Sequence, residues 1–343
     1  MNHPELPLTL QTSYAELIDQ LQLAELSSWP TGSTFRKRTI SGQAYWYVQE
    51  PTRAGTRPAE RYIGKSNPET DARIETARSS KSAADGRRLI VRSLLAAGLV
   101  PPDRLAGDIL AELAQLGLFR LRGILVGTQA YQDYPALLGV RLPATAIQTG
   151  DLDIAQDFGI SVALNDQLEI DLLEALKHVD KTFRAVPNAF SNTASSSYVA
   201  RSQFRVDVLT TNRGSEQRDL PHLPSLRSEA TPLRFLDFLL RDPIPAAVLH
   251  KSGILVNVPT PQRYAVHKLI VATERGADNP KSPKDILQAE TLILALAQKR
   301  RVDDVVETCL EAVERGTGWR ERLSKSAKRL SREVQDVLQP AKL

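Results

Sequence analysis

Cysteine is almost absent from this sequence: Cys309 is the only one in 343 residues. A single cysteine can form no disulfide within the chain and no cysteine cluster for zinc, which is typical of proteins in a reducing compartment. The sequence also has no apolar run of about 18 residues and no basic-then-apolar leader at its start. We therefore predict a cytoplasmic protein, neither secreted nor bound to a membrane.

Several common catalytic motifs are missing as well. The chain has no G-x-x-x-x-G-K-[ST] phosphate loop, no H-E-x-x-H zinc motif, no G-x-S-x-G elbow and no G-x-G-x-x-G fingerprint. Each motif places a defined chemical group on a defined backbone turn. Their absence argues against a P-loop ATPase, a zinc protease, an α/β-hydrolase and a dinucleotide-binding enzyme.

The composition is that of a globular protein large enough for two or three domains. Apolar residues make up 42% and charged residues 24% of the chain, which allows a sizeable core. We predict an α+β fold in three parts: an N-terminal helix and β-hairpin domain (1–100), a mixed-sheet core (101–260) and a C-terminal helical domain (261–343).

The N-terminal part combines a helix with basic and aromatic segments. Ser13 and Glu16 have capping-box spacing, which predicts a helix from there to about residue 26. Apolar and aromatic residues at 38–50 and 60–64 predict a hairpin. From residue 34 to 92 there are 13 Lys/Arg against 6 Asp/Glu. Such a basic region can bind a polyanion, and the aromatic residues at 45–47 can stack bases. The alternative interpretation is that the basic residues form a solvated face and that the aromatic residues belong to the core.

The middle part changes to strands alternating with helices. Residues 121–127 form a short apolar run that ends in glycine and is followed by a helical pattern, which predicts a buried strand, a turn and a helix. DLDIAQ (151–156) predicts the next strand, and residues 198–211 predict one long strand or two joined ones. Beyond residue 261, four amphipathic segments predict a helical bundle.

Two carboxylates stand one residue apart within a predicted strand. Asp151 and Asp153 alternate with Leu152 and Ile154, so the aspartates share one face while the apolar pair enters the core. Such close like charges repel, and a divalent cation removes that penalty. Asp207 occupies a similar position between two valines. If the strands are adjacent, three carboxylates meet, enough to hold two Mg²⁺ ions for phosphoryl transfer.

A glycine and a hydroxyl precede this acidic pair. Gly127 and Thr128 follow the predicted strand at the start of a helix. Free backbone N–H groups, a hydroxyl and the close approach that glycine allows are suited to binding phosphate. An Asp-x-Asp pair alone also occurs in loops without metal, so the interpretation depends on the combination.

These features together resemble the nucleotidyltransferase superfamily of DNA polymerase β type, in which a strand–Gly–Gly/Ser–helix unit precedes Asp-hydrophobic-Asp and a third Asp on a later strand. Here the matching residues are Gly127, Thr128, Asp151, Asp153 and Asp207. The resemblance implies that the three aspartates are catalytic and bind two Mg²⁺ ions, with an NTP as substrate.

Over most of its length the chain is more closely similar to a bacterial family of nucleotidyltransferase-fold proteins related to the AbiEii-like toxins. The matching stretches include LVGTQAYQDYPALLG, FRVDVLT and VNVPTPQRYAVHKLIVATERG. The resemblance implies that Lys268 contacts the triphosphate and that Lys284 and Asp285 line the pocket. Without it, Lys268 is equally well a solvated lysine, and Lys284 with Asp285 an ordinary first-turn pair.

The resemblance implies transfer of an NMP from an NTP to an acceptor. The acceptor would be RNA, such as a tRNA 3′ end, or a protein hydroxyl, and a toxin role with an antitoxin protein as partner follows from the kinship. The alternative is a catalytically silent module of the same fold that binds nucleic acid or a partner protein.

Overall fold

The computed structural model describes residues 3–25, 34–40, 43–49, 60–143, 150–164, 166–187, 195–212, 214, 219–275, 279 and 281–341. Within these ranges helices accompany a mixed sheet, which confirms the α+β class. The turn predicted between the two halves of the N-terminal hairpin lies outside the described residues.

The N-terminal part contains α1 (Leu8–Glu25), β1 (Thr34–Ile40), β2 (Gln43–Gln49), β3 (Glu60–Lys65) and α2 (Pro68–Ala96). The strands form an antiparallel sheet in the order β1-β2-β3. The predicted two-stranded hairpin is thus three strands, because β1 ends at Ile40 and pairs back along β2 from Gln43.

The first helix begins earlier than its capping-box spacing predicts. It starts at Leu8 rather than near Ser13, and the Ser13 hydroxyl donates to the Thr9 carbonyl oxygen at 2.7 Å. A serine inside a helix bonds back to the preceding turn in this way, so it mimics a cap in the sequence without forming one.

The central part contains α3 (Arg104–Gln115), β4 (Ile124–Val126), α4 (Gly127–Tyr131), α5 (Tyr134–Leu138), β5 (Asp151–Gln156), α6 (Phe158–Ala163), α7 (Leu172–Val179), β6 (Arg184–Ala185), β7 (Ser197–Val199), β8 (Arg205–Thr211), β9 (His222–Leu223), β10 (Ser228–Glu229), β11 (Thr231–Leu233), α8 (Leu236–Leu239), β12 (Ile244–Val248) and β13 (Ile254–Val258). The segment predicted as one or two strands around residues 198–211 is two, β7 and β8.

The main sheet is mixed and has the order β4-β5-β8-β7-β6. Strands β5 and β8 run parallel, β4 and β7 run antiparallel to these neighbours, and β11 pairs in parallel with the end of β8. Parallel pairing needs a long connection, which α6, α7 and the short strands provide. The two aspartate-bearing strands are therefore direct neighbours although they are far apart in sequence.

The C-terminal part contains α9 (Pro261–Glu274), α10 (Lys281–Gln298), α11 (Val302–Glu314), α12 (Thr317–Ala327) and α13 (Arg332–Leu338). The last amphipathic segment of the sequence is divided between α12 and α13. Leu330, between these two helices, is buried, so the break keeps the apolar side of the segment in contact with the core.

One hydrophobic core joins the central sheet to the C-terminal helices and extends from Ala106 to Ala341. A second cluster joins α1 and α2 to Ala247 and Leu249. The sheet and the helices α9 and α10 are thereby packed together, and their facing sides enclose the site described next. Among the described helices, none combines the length and apolar composition that a membrane crossing requires.

Candidate active site

The three predicted aspartates meet on one face of the main sheet. Asp153 on β5 is paired in register with Asp207 on β8, and Asp151 precedes Asp153 by two residues. Paired residues on neighbouring strands project to the same face, as do residues two apart on one strand. The intervening Leu152 and Ile154 are fully buried on the other face. The alternation seen in the sequence therefore places acidic groups and core residues on opposite sides.

Asp153 lies at the centre of this acidic face. Burial, followed by the charges of Asp151 and Asp207, raises the pKa of Asp153 to about 6, although Lys268 and Lys281 act in the opposite direction. The structure thus holds close negative charges that are not fully compensated, which is the condition a bound cation would relieve.

Asp207 has a hydroxyl partner on the next strand. Ser197 on β7 is paired in register with Asp207, and its hydroxyl donates to the Oδ1 atom of Asp207. A hydrogen bond to a carboxylate favours its ionised form and restricts its orientation. Ser197 therefore belongs to the same row across the sheet as Asp153 and Asp207.

Gly127 makes room for the Asp153 carboxylate. Its φ of 65° lies in the left-handed region, where glycine is strongly favoured. A Cβ atom built at this position would lie 2.1 Å from Oδ2 of Asp153. Both the backbone conformation and the close approach disfavour a side chain here, which explains the glycine directly after β4.

The loop at Gly127 is fixed from the C-terminal helices. The Tyr264 hydroxyl on α9 donates to the Gly127 carbonyl oxygen at 2.8 Å, and Nζ of Lys284 on α10 donates to Oγ1 of Thr128 at 3.2 Å. Burial, and then the neighbouring Lys268, lower the pKa of Lys284. Helices α9 and α10 thus contact the predicted phosphate loop directly.

A buried carboxylate holds two cations on the helical side. Asp285 is 1% exposed; its Oδ1 lies 2.8 Å from Nζ of Lys268 and its Oδ2 lies 2.9 Å from a guanidinium nitrogen of Arg275. Ionic pairing of this kind fixes where long side chains place their charge. Asp285 therefore positions two cations, whereas the resemblance implied only that it lines the pocket.

A cavity of about 700 Å³ separates the acidic sheet face from the cationic helices. Its lining includes all the predicted site residues except Asp207, namely Gly127, Thr128, Asp151, Asp153, Lys268, Lys284 and Asp285. Asp207 lies beside it, next to Asp153 across the sheet. Apolar side chains of β8, β11, α8 and α9 form another part of the wall. This volume is within the range of ligand sites, about 300–1,000 Å³.

The donor set fits magnesium chemically. Mg²⁺ prefers carboxylate oxygens and is held in many sites by one or two carboxylates plus substrate phosphates. Among the residues that the structure describes, no group of three Asp, Glu, His or Cys side chains is arranged so that it could hold a metal ion by itself. Asp151 and Asp153, which both line the cavity, supply the two carboxylates that such a site needs.

Sequence reasoning missed four residues of this site: Ser197, Tyr264, Arg275 and Lys281. Arg275 and Lys281 line the cavity. Both are cations close in sequence to predicted site residues, so their positions in the sequence could have identified them. Ser197 and Tyr264 give no local signal, since their roles depend on contacts across 10 and 137 residues.

His267 also lines the cavity. Burial, Lys268 and Arg275 lower its pKa to about 3, so its imidazole is neutral and unsuited to proton transfer near neutral pH.

Comparisons with known proteins agree with this geometry. The sequence model of a family described as nucleotidyltransferase matches residues 104–314, from the start of α3 to the end of α11. No curated protein and no solved structure matches the chain. The match covers the sheet, the three aspartates and both cation-bearing helices, and it extends over more than half of the sequence. The chain therefore belongs to the nucleotidyltransferase family.

Proposed function

We infer that the chain is a Mg²⁺-dependent enzyme that transfers an NMP from an NTP to a hydroxyl of an RNA acceptor. One observation carries this conclusion: an acidic sheet face and a row of cations on α9 and α10 face the same cavity of about 700 Å³. A bound metal ion requires the acidic sheet face. A metal-bound triphosphate requires both the acidic face and the cations of α9 and α10. The family supports NMP transfer in general, the metal is inferred from the chemistry of the site, and the RNA acceptor is inferred from the basic N-terminal region.

The helical side would bind the triphosphate. Lys268, Arg275, Lys281 and Lys284 all line the cavity, and two of them are held by Asp285 at 2.8 and 2.9 Å. Cations fixed in advance bind phosphate with less loss of side-chain entropy than mobile ones. Thr128 and the backbone of Gly127 face the same space.

The apolar part of the cavity would hold the nucleobase. Leu209, Leu233, Phe235 and Val271 line it. Flat apolar surfaces accept a base through stacking and burial, with little dependence on its hydrogen-bonding edge. We expect modest discrimination among the four NTPs.

The sheet side would carry the chemistry. Asp151 and Asp153 would hold magnesium, with Asp207 beside them, and bound magnesium supplies charge stabilisation for the phosphoryl oxygens. The acceptor oxygen forms a bond to the α-phosphorus as the bond to pyrophosphate breaks. A carboxylate oxygen of Asp207 would accept the acceptor's hydroxyl proton.

A labelling experiment tests the proposal. The purified chain is incubated with each α-³²P-labelled NTP, Mg²⁺ and cell extract, and the products are resolved on RNA and protein gels. Label on RNA is the expected result, and loss of label with EDTA is the expected control. Label on protein instead would support NMP transfer and overturn the choice of RNA.

Variants separate catalysis from folding. Asp151→Asn and Asp207→Asn should abolish transfer and leave the thermal midpoint unchanged or higher, because each removes a negative charge from a crowded acidic face. A matched control is Asp303→Asn, an exposed acid in the first turn of α11. Full transfer by either site variant would contradict the proposal.

A silent binding module is the second candidate, favoured by Asp207. Its carboxylate is bonded to Ser197 and does not line the cavity. This alternative, a module that binds nucleic acid or a partner protein, predicts no label in any pool together with salt-sensitive nucleic-acid binding. A toxin role with an antitoxin partner and a cytoplasmic location stay predictions. Inducible expression of the chain beside Asp153→Asn tests the first, with growth arrest expected only for the unaltered chain.

A further inference from the structure

The N-terminal sheet carries a basic and aromatic outer face that the proposed active site does not use. On β1, Arg36 and Arg38 are exposed, and on β2, Tyr45 and Tyr47 are half-buried. The register pairs Arg36 with Tyr47 and Arg38 with Tyr45. Paired residues project to the same side of a sheet. The two arginines and the two tyrosines therefore share one face.

Three further observations describe this face. Lys65 on β3 is exposed and paired with Tyr45, which adds a third cation across the sheet. The guanidinium of Arg38 lies 5.3 Å from the ring centroid of Tyr47. Strands β1 and β2 contain no acidic residue. We name this surface, made by Arg36, Arg38, Tyr45, Tyr47 and Lys65, the sheet face.

The opposite side of the same strands is the structural side. Trp46 and Val48 are buried there, and the Trp46 indole donates to Oδ1 of Asp71 on α2 at 2.6 Å. Alternate residues of β2, Trp46 and Val48, thus pack into the core of this region, and the two tyrosines lie on the other side of the sheet. The sequence offered both a core and a base-stacking interpretation for the aromatics 45–47; the alternation assigns Trp46 to the core and separates it from its neighbours.

We propose that the sheet face binds single-stranded RNA. Aromatic side chains on an open sheet stack unpaired bases, guanidinium planes stack on bases as well, and cations contact the phosphates between them. Bases can stack on tyrosine rings only when they are unpaired and turned out of a helix, so the RNA must be single-stranded. Tyrosine hydroxyls add donors and acceptors that can contact the 2′-hydroxyl, which distinguishes RNA from DNA.

This inference adds a binding surface to the proposed function and is tested without NTP. Binding of a labelled oligo(U) is measured by fluorescence anisotropy over a range of salt concentrations. We expect the double variant Arg36→Ala/Arg38→Ala to weaken binding and to reduce the slope of log K against log salt by about 1.4, from two fewer phosphate contacts. The matched control, Lys177→Ala/Arg332→Ala, removes two exposed cations elsewhere and should change neither quantity.

The tyrosines distinguish stacking from charge alone. Tyr45→Leu and Tyr47→Leu should each weaken binding at least about fivefold, whereas the Tyr→Phe variants should retain most of it, because stacking needs a ring. Circular dichroism and thermal unfolding show whether each variant keeps its fold. If the Leu variants do not fold, the Phe variants still test whether a ring at these positions is sufficient for binding.

Three results would overturn the inference. The first is equal loss of binding in the sheet-face and control variants, and the second is unchanged affinity in every sheet-face variant. The third is binding of oligo(dT) as tight as that of oligo(U), which would exclude the assignment to RNA. Since no NTP is present, these results are independent of whether the chain transfers NMP.

Discussion

The two walls of the cavity differ in how their close like charges are neutralised. On the helical wall, Lys268 and Arg275 share the buried carboxylate of Asp285. On the sheet wall, Asp151 and Asp153 line the cavity and Asp207 lies next to Asp153 across the sheet; the proximity of Asp151 and Asp207 adds to burial in raising the pKa of Asp153 to about 6. On the helical wall Asp285 pairs directly with two of the cations, whereas on the sheet wall Lys268 and Lys281 offset only part of the negative charge around Asp153, whose pKa stays raised. The helical wall is therefore suited to positioning cations, and the sheet wall, where burial and neighbouring carboxylates still raise the pKa of Asp153, is suited to binding one more cation.

The largest expected effect comes from the sheet wall. Asp153→Asn removes the central carboxylate, and we expect NMP transfer to fall by at least about 10³-fold, the scale seen when preorganised electrostatic groups are deleted. Single-turnover labelling measures it. Transfer within tenfold of the unaltered chain would show that the acidic face is not the reaction centre.

Gly127→Ala tests how closely the phosphate loop approaches the acidic face. A methyl group would meet the Asp153 carboxylate at 2.1 Å on a backbone of positive φ, so we expect about 100-fold lower transfer and a loss of about 1–2 kcal/mol in unfolding free energy. Gly150→Ala is the matched control, since Gly150 also lines the cavity but its added Cβ would meet nothing within 4 Å. Equal effects of the two variants would remove the steric explanation.

Asp285→Asn tests the helical wall. Without the carboxylate charge, Lys268 and Arg275 repel each other in a buried setting, and we expect a loss of about 2 kcal/mol or more in unfolding free energy. The KM for NTP should rise by more than kcat falls, because the cations bind substrate in its ground state. Urea unfolding and steady-state kinetics measure both, with Asp303→Asn as the exposed control. An unchanged KM would mean that these cations do not contact the NTP.

Ser197→Ala tests the bond at the edge of the acidic row. A hydrogen bond to a charged acceptor contributes about 1.5–3 kcal/mol, so loss of the hydroxyl should lower kcat by about tenfold, and Ser197→Thr should restore most of it. Ser196→Ala is the neighbouring control; its hydroxyl bonds Thr231 at 2.7 Å instead. Equal kcat in the two alanine variants would show that Ser197 does not position Asp207.

The smallest effect is a pH dependence of stability measured in EDTA. The folded pKa of Asp153, about 6, lies above the ordinary value of 3.8, so the folded state holds the proton more tightly than the unfolded chain does. Stability from this group is therefore present below about pH 4 and lost as the pH rises through about 6. At pH 7 the free energy of unfolding of Asp153→Asn should exceed that of the unaltered chain by about 1–2 kcal/mol. This figure is smaller than the full pKa difference implies, because Asp153 faces the cavity and its charge is partly screened. At pH 4 the two proteins should be equally stable. An equal difference at both pH values would contradict the raised pKa.

Local patterns predicted most elements but not their ends. Helix α1 begins at Leu8 because Ser13, which resembles a cap, bonds back to the Thr9 carbonyl oxygen instead. The long N-terminal strand is two strands, because tertiary pairing of Ile40 with Gln43 decided where it ends. Periodicity reports which side of an element is apolar, and it carries little information about where the backbone turns.

By itself, the sequence determined which residues share a face. The alternation in DLDIA and RVDV separates carboxylates from core residues whatever the strands pair with, since side chains of a strand alternate strictly. Only the tertiary structure decided that Asp153 lies opposite Asp207, that Ser197 continues the row and that Lys284 reaches Thr128 across 156 residues. Those contacts depend on strand register and on the packing of α9 and α10 against the sheet, which the whole core fixes and no local segment encodes.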